Sequence, residues 1–331
     1  MIAVLCGGVG AARFLSGLSD ATEPSGVTAI VNTGDDTVLH GLHICPDLDT
    51  IAYTLGQRVN PDTGWGVRGD TFRAMEALEA LGGEAWFRLG DVDLGTHLYR
   101  TGRLAQGATL SRVTAEIAAA LGVGVRILPM SDDAVRTNIV LRQGVDPRVD
   151  PSVDLGGGRA GDTPVAARGE TVSFQDYFVR LHHSVEVSAV EFEGAAGASP
   201  APGVLDVLGS VDRVVIAPSN PVVSIGPILA VPGIAELLSA RRGTVVAISP
   251  IVAGRALKGP ADRLLAELGE ESSVVGVARH LREVCGTLVV DTAGSNRADE
   301  IEAAGLRAVV TDTVMATPER AKALAEVVLA C

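Results

Sequence analysis

The chain has 331 residues, of which 47% are hydrophobic, 20% charged and only 3% aromatic, and its formal net charge is −13. This is a globular composition, enough for one large α/β domain or one domain with a sizeable insertion, with a core of Val, Ile, Leu and Ala. The acidic balance and the lack of any basic run exclude a nucleic-acid track; no run approaches the roughly 20 apolar residues of a membrane span; and four scattered cysteines without a CxxC pair speak against a disulfide framework or structural zinc.

The chain opens on a strand, IAVLC (2–6), that passes into CGGVGAARFL (6–15). Gly7, Gly8 and Gly10 form a turn into a helix starting near Ala11. Glycine lets backbone approach a ligand closely, and exposed N–H groups at a helix start attract anions. The dinucleotide pattern GxGxxG is met only in part, as Gly8-x-Gly10-x-x-Arg13. Arginine in the last place is wrong for close helix–sheet packing and right for a forked phosphate clamp. The expectation is a phosphate site rather than a standard NAD fold.

A second strand, VTAIV (27–31), ends in NTGDD (32–36), and HICPDLDT (43–50) follows. Adjacent winding puts Asp35 and Asp36 near the glycine turn, with Asp47 and Asp49 close behind. One acid here would hold a ribose hydroxyl in an NAD enzyme; four acids beside a phosphate repel it unless a cation intervenes. Magnesium, a hard cation that takes oxygen ligands and bridges to phosphate, fits that need. Pro46–Asp47 also reads as a helix start with Asp47 as its cap.

GWGVRGDTF (64–72) and WFRLGDVDLGTH (86–97) each read as a loop ending in a helix cap. Arg68, Asp70 and Thr71 precede a helix over 71–82, with Phe72, Met75, Ala77, Leu78 and Leu81 at helical spacing. Gly90, Asp91 and Asp93 precede another, with Thr96 and His97 in its early turns. Trp65 and Trp86, the only tryptophans, either stack on a planar ligand ring or pack under these loops. A helix over 111–122 starts at a cap-like Ser111 and stops at Gly122. Strand VGVRIL (123–128) leads to MSDD (130–133).

TNIVLR (137–142), TVSFQDYFVR (171–180) and VEVSAVEF (185–192) then follow one another without a helix. They read as an inserted antiparallel meander or flap over 137–192. Within it, residues 144–170 are rich in Gly, Pro and Asp and read as a mobile surface excursion. Strand RVVIAP (213–218) runs into APSNPVVSIGPIL (217–229). Ser219, Asn220, Ser224 and Gly226 fall at its carboxyl end, where ligands of open α/β sheets bind. Their hydroxyl, amide and N–H groups can read a purine edge or hold a phosphate. Strands TVVAIS (244–249), TLVVDT (287–292) and LRAVVT (306–311) follow, with SPIVAGRALKGPA (249–261) adding Arg255 and Lys258, and a final helix (318–330) has proline in its first turn. The alternation predicts a single domain over 1–331, α/β, doubly wound, with a mostly parallel Rossmann-like sheet and an inserted helical and antiparallel flap region. The short first apolar run, breaking at a glycine turn, makes cytoplasm the expected compartment.

Taken in order, GGVGAARF, NTGDD, HGLHICPDLDT, GWGVRGDTF, FRLGDVDLGTH, the MSDD turn, FQDYFVR, APSNPVVSIGPIL and SPIVAGRALKGPA resemble, almost end to end, the CofD/FbiA family of 2-phospho-L-lactate transferases of coenzyme F-420 biosynthesis. That resemblance implies a homodimer. It also implies transfer of a phospholactyl or phosphoenolpyruvyl group from a guanosine diphosphate ester to the terminal ribityl hydroxyl of the deazaflavin Fo, with GMP leaving and Mg²⁺ assisting. Asp49 and Arg88 match the positions that contact Fo; many relatives have lysine at the second. Phosphoryl transfer needs positioning and charge neutralisation more than covalent help. Asp35 and Asp49, with Asp36, are the expected metal holders, and Asp35 or Asp49 the expected acceptor of the hydroxyl proton. Arg13 and the Gly7, Gly8, Gly10 turn are expected to cradle the diphosphate, Asn220 with Ser219, Ser224 and Gly226 to take the guanosine side, and Trp65, Gly90, Asp91 and His97 to line the Fo side. The alternative is a non-catalytic sugar-nucleotide-binding regulator of the YvcK type, whose acidic loop runs DDGGSSG where this chain has DDTVLHG.

Overall fold

The computed structural model describes residues 1–142 and 169–331; the predicted excursion falls, up to residue 168, outside them. In chain order the first half runs β1 (Ile2–Cys6), α1 (Gly8–Ala21), β2 (Val27–Val31), the hairpin β3 (Thr37–Leu39) and β4 (Leu42–Ile44), α2 (Pro46–Leu55), α3 (Arg73–Ala80), α4 (Asp93–Ala105), α5 (Leu110–Ala120) and β5 (Arg126–Pro129). Three strands of a small sheet follow, β6 (Arg136–Leu141), β7 (Thr171–Ser173) and β8 (Val187–Glu193). The second half runs α6 (Val204–Ser210), β9 (Arg213–Ile216), α7 (Gly226–Ala230), α8 (Ile234–Ala240), β10 (Val245–Ile248), the hairpin β11 (Ile251–Val252) and β12 (Arg255–Ala256), α9 (Ala261–Glu267), α10 (Val274–Leu281), β13 (Thr287–Asp291), α11 (Ala298–Ala303), β14 (Arg307–Thr311) and α12 (Pro318–Ala330).

Seven parallel strands form the central sheet in the order β14-β13-β10-β9-β1-β2-β5. The chain winds outward from β1 to β5, returns, and winds the other way from β9. The switch point therefore lies between β1 and β9, where such sheets open a crevice at their carboxyl ends. Alternation along β1 feeds two cores: Ala3 and Leu5 face the layer of α6 to α11, and Val4 and Cys6 face α1, α2, α5 and α12. Both faces are covered, which is why the strands read as continuous apolar runs. Among the described residues no single helix is long and apolar enough to cross a membrane.

Close packing of α1 on α12 rests on Gly17, where a β-carbon would strike the backbone of Ala321. Alanine normally gains about 1 kcal/mol over glycine inside a helix; here overpacking against backbone costs about 1–3 kcal/mol and wins. Gly17→Ala is therefore expected to lower stability in urea denaturation, opposite in sign to its helix propensity.

The predicted meander is present in part, as the antiparallel sheet β7-β6-β8; the run expected to be strand over 171–180 keeps strand only at Thr171–Ser173 and turns helical at Asp176–Arg180, where Ser173 Oγ accepts from Asp176 N at 3.1 Å. Its inner residues Ile139, Leu141, Tyr177 and Val187 join the larger core, so it is anchored and not a free flap. Three local readings change. The strand expected from Val123 begins at Arg126, because Val123 closes α5 by donating to the Ala118 carbonyl. The cap of α5 is Thr109, which accepts from Arg112 N at 3.3 Å; Ser111 binds Asp132 of the MSDD turn instead, through N at 2.6 Å and Oγ at 2.8 Å. Finally, α3 buries Met75 and leaves Leu81 87% exposed, so its apolar spacing marks only a narrow contact.

Candidate functional site

The glycine turn sits at the end of β1, beside the end of β9. Gly7 N donates to Ser219 Oγ at 3.2 Å, and that hydroxyl donates back to the Gly7 carbonyl at 2.8 Å, tying the two strand ends together. Gly8 N donates to Asp47 Oδ1 at 2.7 Å, and Asn32 Nδ2 donates to Asp47 Oδ2 at 3.0 Å. Asp47 thus pins the starts of α1 and α2 to the end of β2. It does not cap its own helix: Cys45 occupies the cap position of α2. A β-carbon at Gly10 would lie 2.6 Å from the Pro218 carbonyl oxygen. Close packing thus explains Gly10, and the amides of Gly7 and Gly8 are already used within the protein.

The NTGDD loop lies next to this knot. Gly34 N donates to Asn32 Oδ1 at 2.8 Å, Thr137 N of β6 to the Gly34 carbonyl at 2.7 Å, and Gln175 Nε2 to the Asp35 carbonyl at 3.0 Å. The antiparallel sheet therefore holds the acidic loop from outside. A β-carbon at Gly34 would sit 2.6 Å from Thr137 Oγ1. Thr137 and Gln175 carry no sequence signal of this role, since each meets the loop from far along the chain.

Several oxygens gathered here are not satisfied by the protein. Thr33 Oγ1, Asp35 Oδ1, Asp36 Oδ1 and Thr137 Oγ1 are buried without a well-aligned hydrogen-bond partner among the described residues. Burial, reinforced by Asp47 and Asp36, pushes the Asp35 carboxyl well above the usual range; the Asn32 and Thr137 side chains oppose this only in part. Burial likewise raises Asp36, against the Cys45 thiol and the Arg100 charge. Burial carries Asp47 up to about 6, even with its Asn32 and Gly8 donors. These few donors and the Arg100 charge do not offset the burial of so many carboxylates, which are unfavourable as ionised groups where they stand. They fit a hard, oxygen-seeking cation.

Asp49 is in a different state. Arg100 of α4, 2% exposed, grips both its oxygens: NH1 donates to Oδ2 at 3.1 Å, and NH2 to Oδ1. Arg100 NH1 also lies 3.3 Å from His97 Nδ1. A guanidinium only donates, so Nδ1 is placed to accept, and Nε2, 3.4 Å from Asp93 Oδ2, is buried without a well-aligned hydrogen-bond partner among the described residues. Tyr53 donates to Asp93 Oδ1 at 2.6 Å. Burial raises the Asp93 carboxyl, but His97 and Tyr53 outweigh it and hold it below the usual range. Atoms of Asp49, Asp93 and His97 lie within 4.8 Å of one another, a spacing compatible with a divalent cation. Arg100 already pairs with Asp49 and would confront any ion placed there, whereas no cation is in contact with the NTGDD oxygens among the described residues.

The remaining predicted residues divide into two places. Gly90 and Asp91 serve the helix starts: Asp70 accepts from Val92 N at 2.8 Å and Asp93 N at 3.0 Å at α4, and Asp91 accepts from Arg73 N at 3.1 Å and Ala74 N at 3.0 Å at α3. Gly90 leaves room for Asp70 in this exchange. Arg88 is exposed, with its guanidinium 4.7 Å from the Phe72 ring. Trp86 packs edge-on against Phe87. Trp65, 51% exposed, sits instead at the tip of the 58–68 loop, beside the first turn of α1.

On the β9 side, Asn220 caps the segment Pro221–Ile225 through Oδ1, accepting from Val222 N at 3.0 Å and Val223 N at 3.3 Å, and its Nδ2 is buried without a partner among the described residues. Ser224 is buried against Gly7. Gly226 is explained by packing, because a β-carbon there would meet the Phe192 ring at 2.8 Å.

The family model described as 2-phospho-L-lactate transferase CofD matches residues 2–330. A phosphoenolpyruvate transferase of Streptomyces griseus is 44% identical over 98% of this chain and 96% of that protein. One from Mycolicibacterium smegmatis is 38% identical over 98% and 96%. The crystal structure of protein BH3568 from Bacillus halodurans superposes with a TM-score of 0.61 over 99% of this chain and 98% of that one, at 18% identity, a likeness of fold alone. With the glycine turn, the acidic loop and the two loop–helix starts in one connected arrangement, and a match running the length of the sequence, this chain belongs to the CofD family of transferases.

Proposed function

We propose that the protein acts in coenzyme F-420 biosynthesis, moving a phosphoenolpyruvyl or phospholactyl group from a guanosine diphosphate ester to the terminal ribityl hydroxyl of Fo. The relatives' name, phosphoenolpyruvate transferase, favours the enolpyruvyl donor. The hydroxyl oxygen bonds to the phosphorus that carries the acid, the bond from that phosphorus to GMP breaks, and the hydroxyl proton passes to a carboxylate. The observation that carries this reading is the set of buried oxygens on Thr33, Asp35, Asp36 and Thr137 that lack a well-aligned partner among the described residues, beside the switch-point crevice. Mg²⁺ held by Asp35 and Asp36 would supply the charge that lets a diphosphate approach. Asp49 takes part through the Arg100 pair, fixed in place to meet Fo. Asn220 Nδ2 offers a donor to an acceptor on the guanosine side. Arg88 and Trp65 are the two predicted Fo-side residues with exposed side chains that can meet a flat ring.

The test is incubation of the protein with Fo, Mg²⁺ and each guanosine diphosphate ester, followed by mass measurement of the products. The expected result is Fo enlarged by the phospho-acid unit together with one equivalent of GMP. No product, with heat protection by a UDP-sugar and none by GDP, would contradict the proposal.

A pH dependence follows from the raised carboxyls. An acid whose pKa is raised by folding binds its proton more tightly in the native state, so its stabilising effect is present at low pH. It is lost as pH rises from the unfolded value, about 4, through the native one. For Asp47 that window ends at about 6, and for Asp35 and Asp36 it lies well above the usual range. Without metal, this cluster favours the fold more near pH 5 than near pH 8. A cation binds the ionised form, so Mg²⁺ near 100 times its Kd is expected to raise Tm by roughly 5 °C at pH 8 and by much less at pH 5, by scanning calorimetry.

A further inference from the structure

A second charged feature lies across the glycine turn from the acids. The 58–68 loop folds its tip onto α1, and a methyl group at Gly64 would lie 2.7 Å from Val9 Cγ1, 3.5 Å from Lys258 Nζ and 3.8 Å from the Arg13 guanidinium. Arg13 rises from the second turn of α1; Lys258 comes from the segment after β12, on the far side of the switch point. Lys258 Nζ donates to the Thr63 carbonyl at 3.0 Å, which straps the loop tip to this place. Neither cation has an ion-pair partner among the described residues. Burial, and then the Arg13 charge, lower the Lys258 ammonium below its usual value. Two like charges held together in a chain of net charge −13 are a local cost that an anion would remove. The first-turn amides of α1 beyond Gly8 have no carbonyl one turn before them, and Val9, which carries one of them, is the residue that the Gly64 tip approaches.

We propose that Arg13 and Lys258, brought together over Gly64 at the start of α1, form a two-cation subsite for the outer phosphate of the donor and the acid it carries. This rests on the reading that a nucleoside diphosphate ester spans the glycine turn, and it deepens that reading. The transferred unit carries one phosphoryl charge and one carboxylate charge, which two cations match. Lys258 is the new member: its bond to Thr63 makes the loop bearing Trp65 part of the same subsite. Occupancy of the subsite and placement of Trp65 are therefore linked.

The test uses the full chain carrying Trp86→Phe, so that Trp65 is the sole tryptophan, with and without Lys258→Met or Lys258→Arg. The probes are inorganic pyrophosphate, phosphoenolpyruvate and GMP, each titrated by tryptophan fluorescence and by calorimetry. Pyrophosphate is expected to change Trp65 emission, Lys258→Met to weaken its binding about tenfold, and Lys258→Arg to restore most of it, with GMP affinity unchanged within twofold. A matching loss for phosphoenolpyruvate assigns the carboxylate to the pair as well; a loss for pyrophosphate alone assigns the phosphate only. Equal pyrophosphate affinity with and without Lys258, or an equal loss for GMP, would overturn the proposal. Failure of GMP to bind any of these proteins would count against the guanosine donor, while the pyrophosphate comparison still decides the subsite.

Discussion

Asp35→Asn is expected to lower kcat roughly 1000-fold, the scale of several kcal/mol that a metal-held charge supplies, with little change in thermal stability in the absence of metal. Asparagine preserves shape and removes the charge. It also removes an acid whose charge burial penalises, and the neighbours Asp36 and Asp47 are relieved of its repulsion. The Mg²⁺-dependent rise in Tm should therefore shrink together with turnover, while the metal-free Tm holds or rises. Steady-state kinetics with a magnesium titration checks this. Wild-type turnover in Asp35→Asn would show that the proton acceptor and the metal seat both lie elsewhere.

Arg100→Met acts through stability. It leaves Asp49 as a buried, uncompensated charge and frees His97 Nδ1 from its donor. Breaking one side of a buried pair costs about 3–5 kcal/mol, a large part of the stability of a typical domain. Replacing both partners by apolar groups, Asp49→Leu with Arg100→Met, should recover most of that loss while leaving turnover low, because the Fo side is no longer held. Chemical denaturation of the two single variants and the double variant, as a mutant cycle, measures the coupling. A mild, additive result would mean that the pair is not closed in solution.

The same residues show why some of the fold and site could be read from sequence and some could not. The strands IAVLC, VTAIV and TLVVDT lie in the central sheet within a residue of where their apolar runs place them, because a strand covered on both faces carries its signal locally. The acids of NTGDD and PDLDT were visible as a group, since β2 and the start of α2 are close in sequence. Their division of labour was not. Asp49 is set apart by Arg100, 51 residues away, and Asp35 is held by Gln175, 140 residues away. Asp47 resembled a cap for its own helix, and its actual partners, Gly8 and Asn32, lie 39 and 15 residues before it. Asp91 and Gly90 resembled ligand contacts because helix caps and binding loops draw on the same residue types. Only the pairing of Asp70 with one helix start and Asp91 with the other tells the two roles apart.

The proposed mechanism stands on a divalent cation seated on the NTGDD loop and not in the neighbouring group of Asp49, Asp93 and His97. Anomalous diffraction from crystals grown with Mn²⁺ and GDP locates that ion directly. A metal seat on the NTGDD loop predicts a peak bonded to Asp35 and Asp36, facing the diphosphate, with Arg100 still closed on Asp49. A peak bonded to Asp49, Asp93 and His97, with Arg100 swung away, would contradict it.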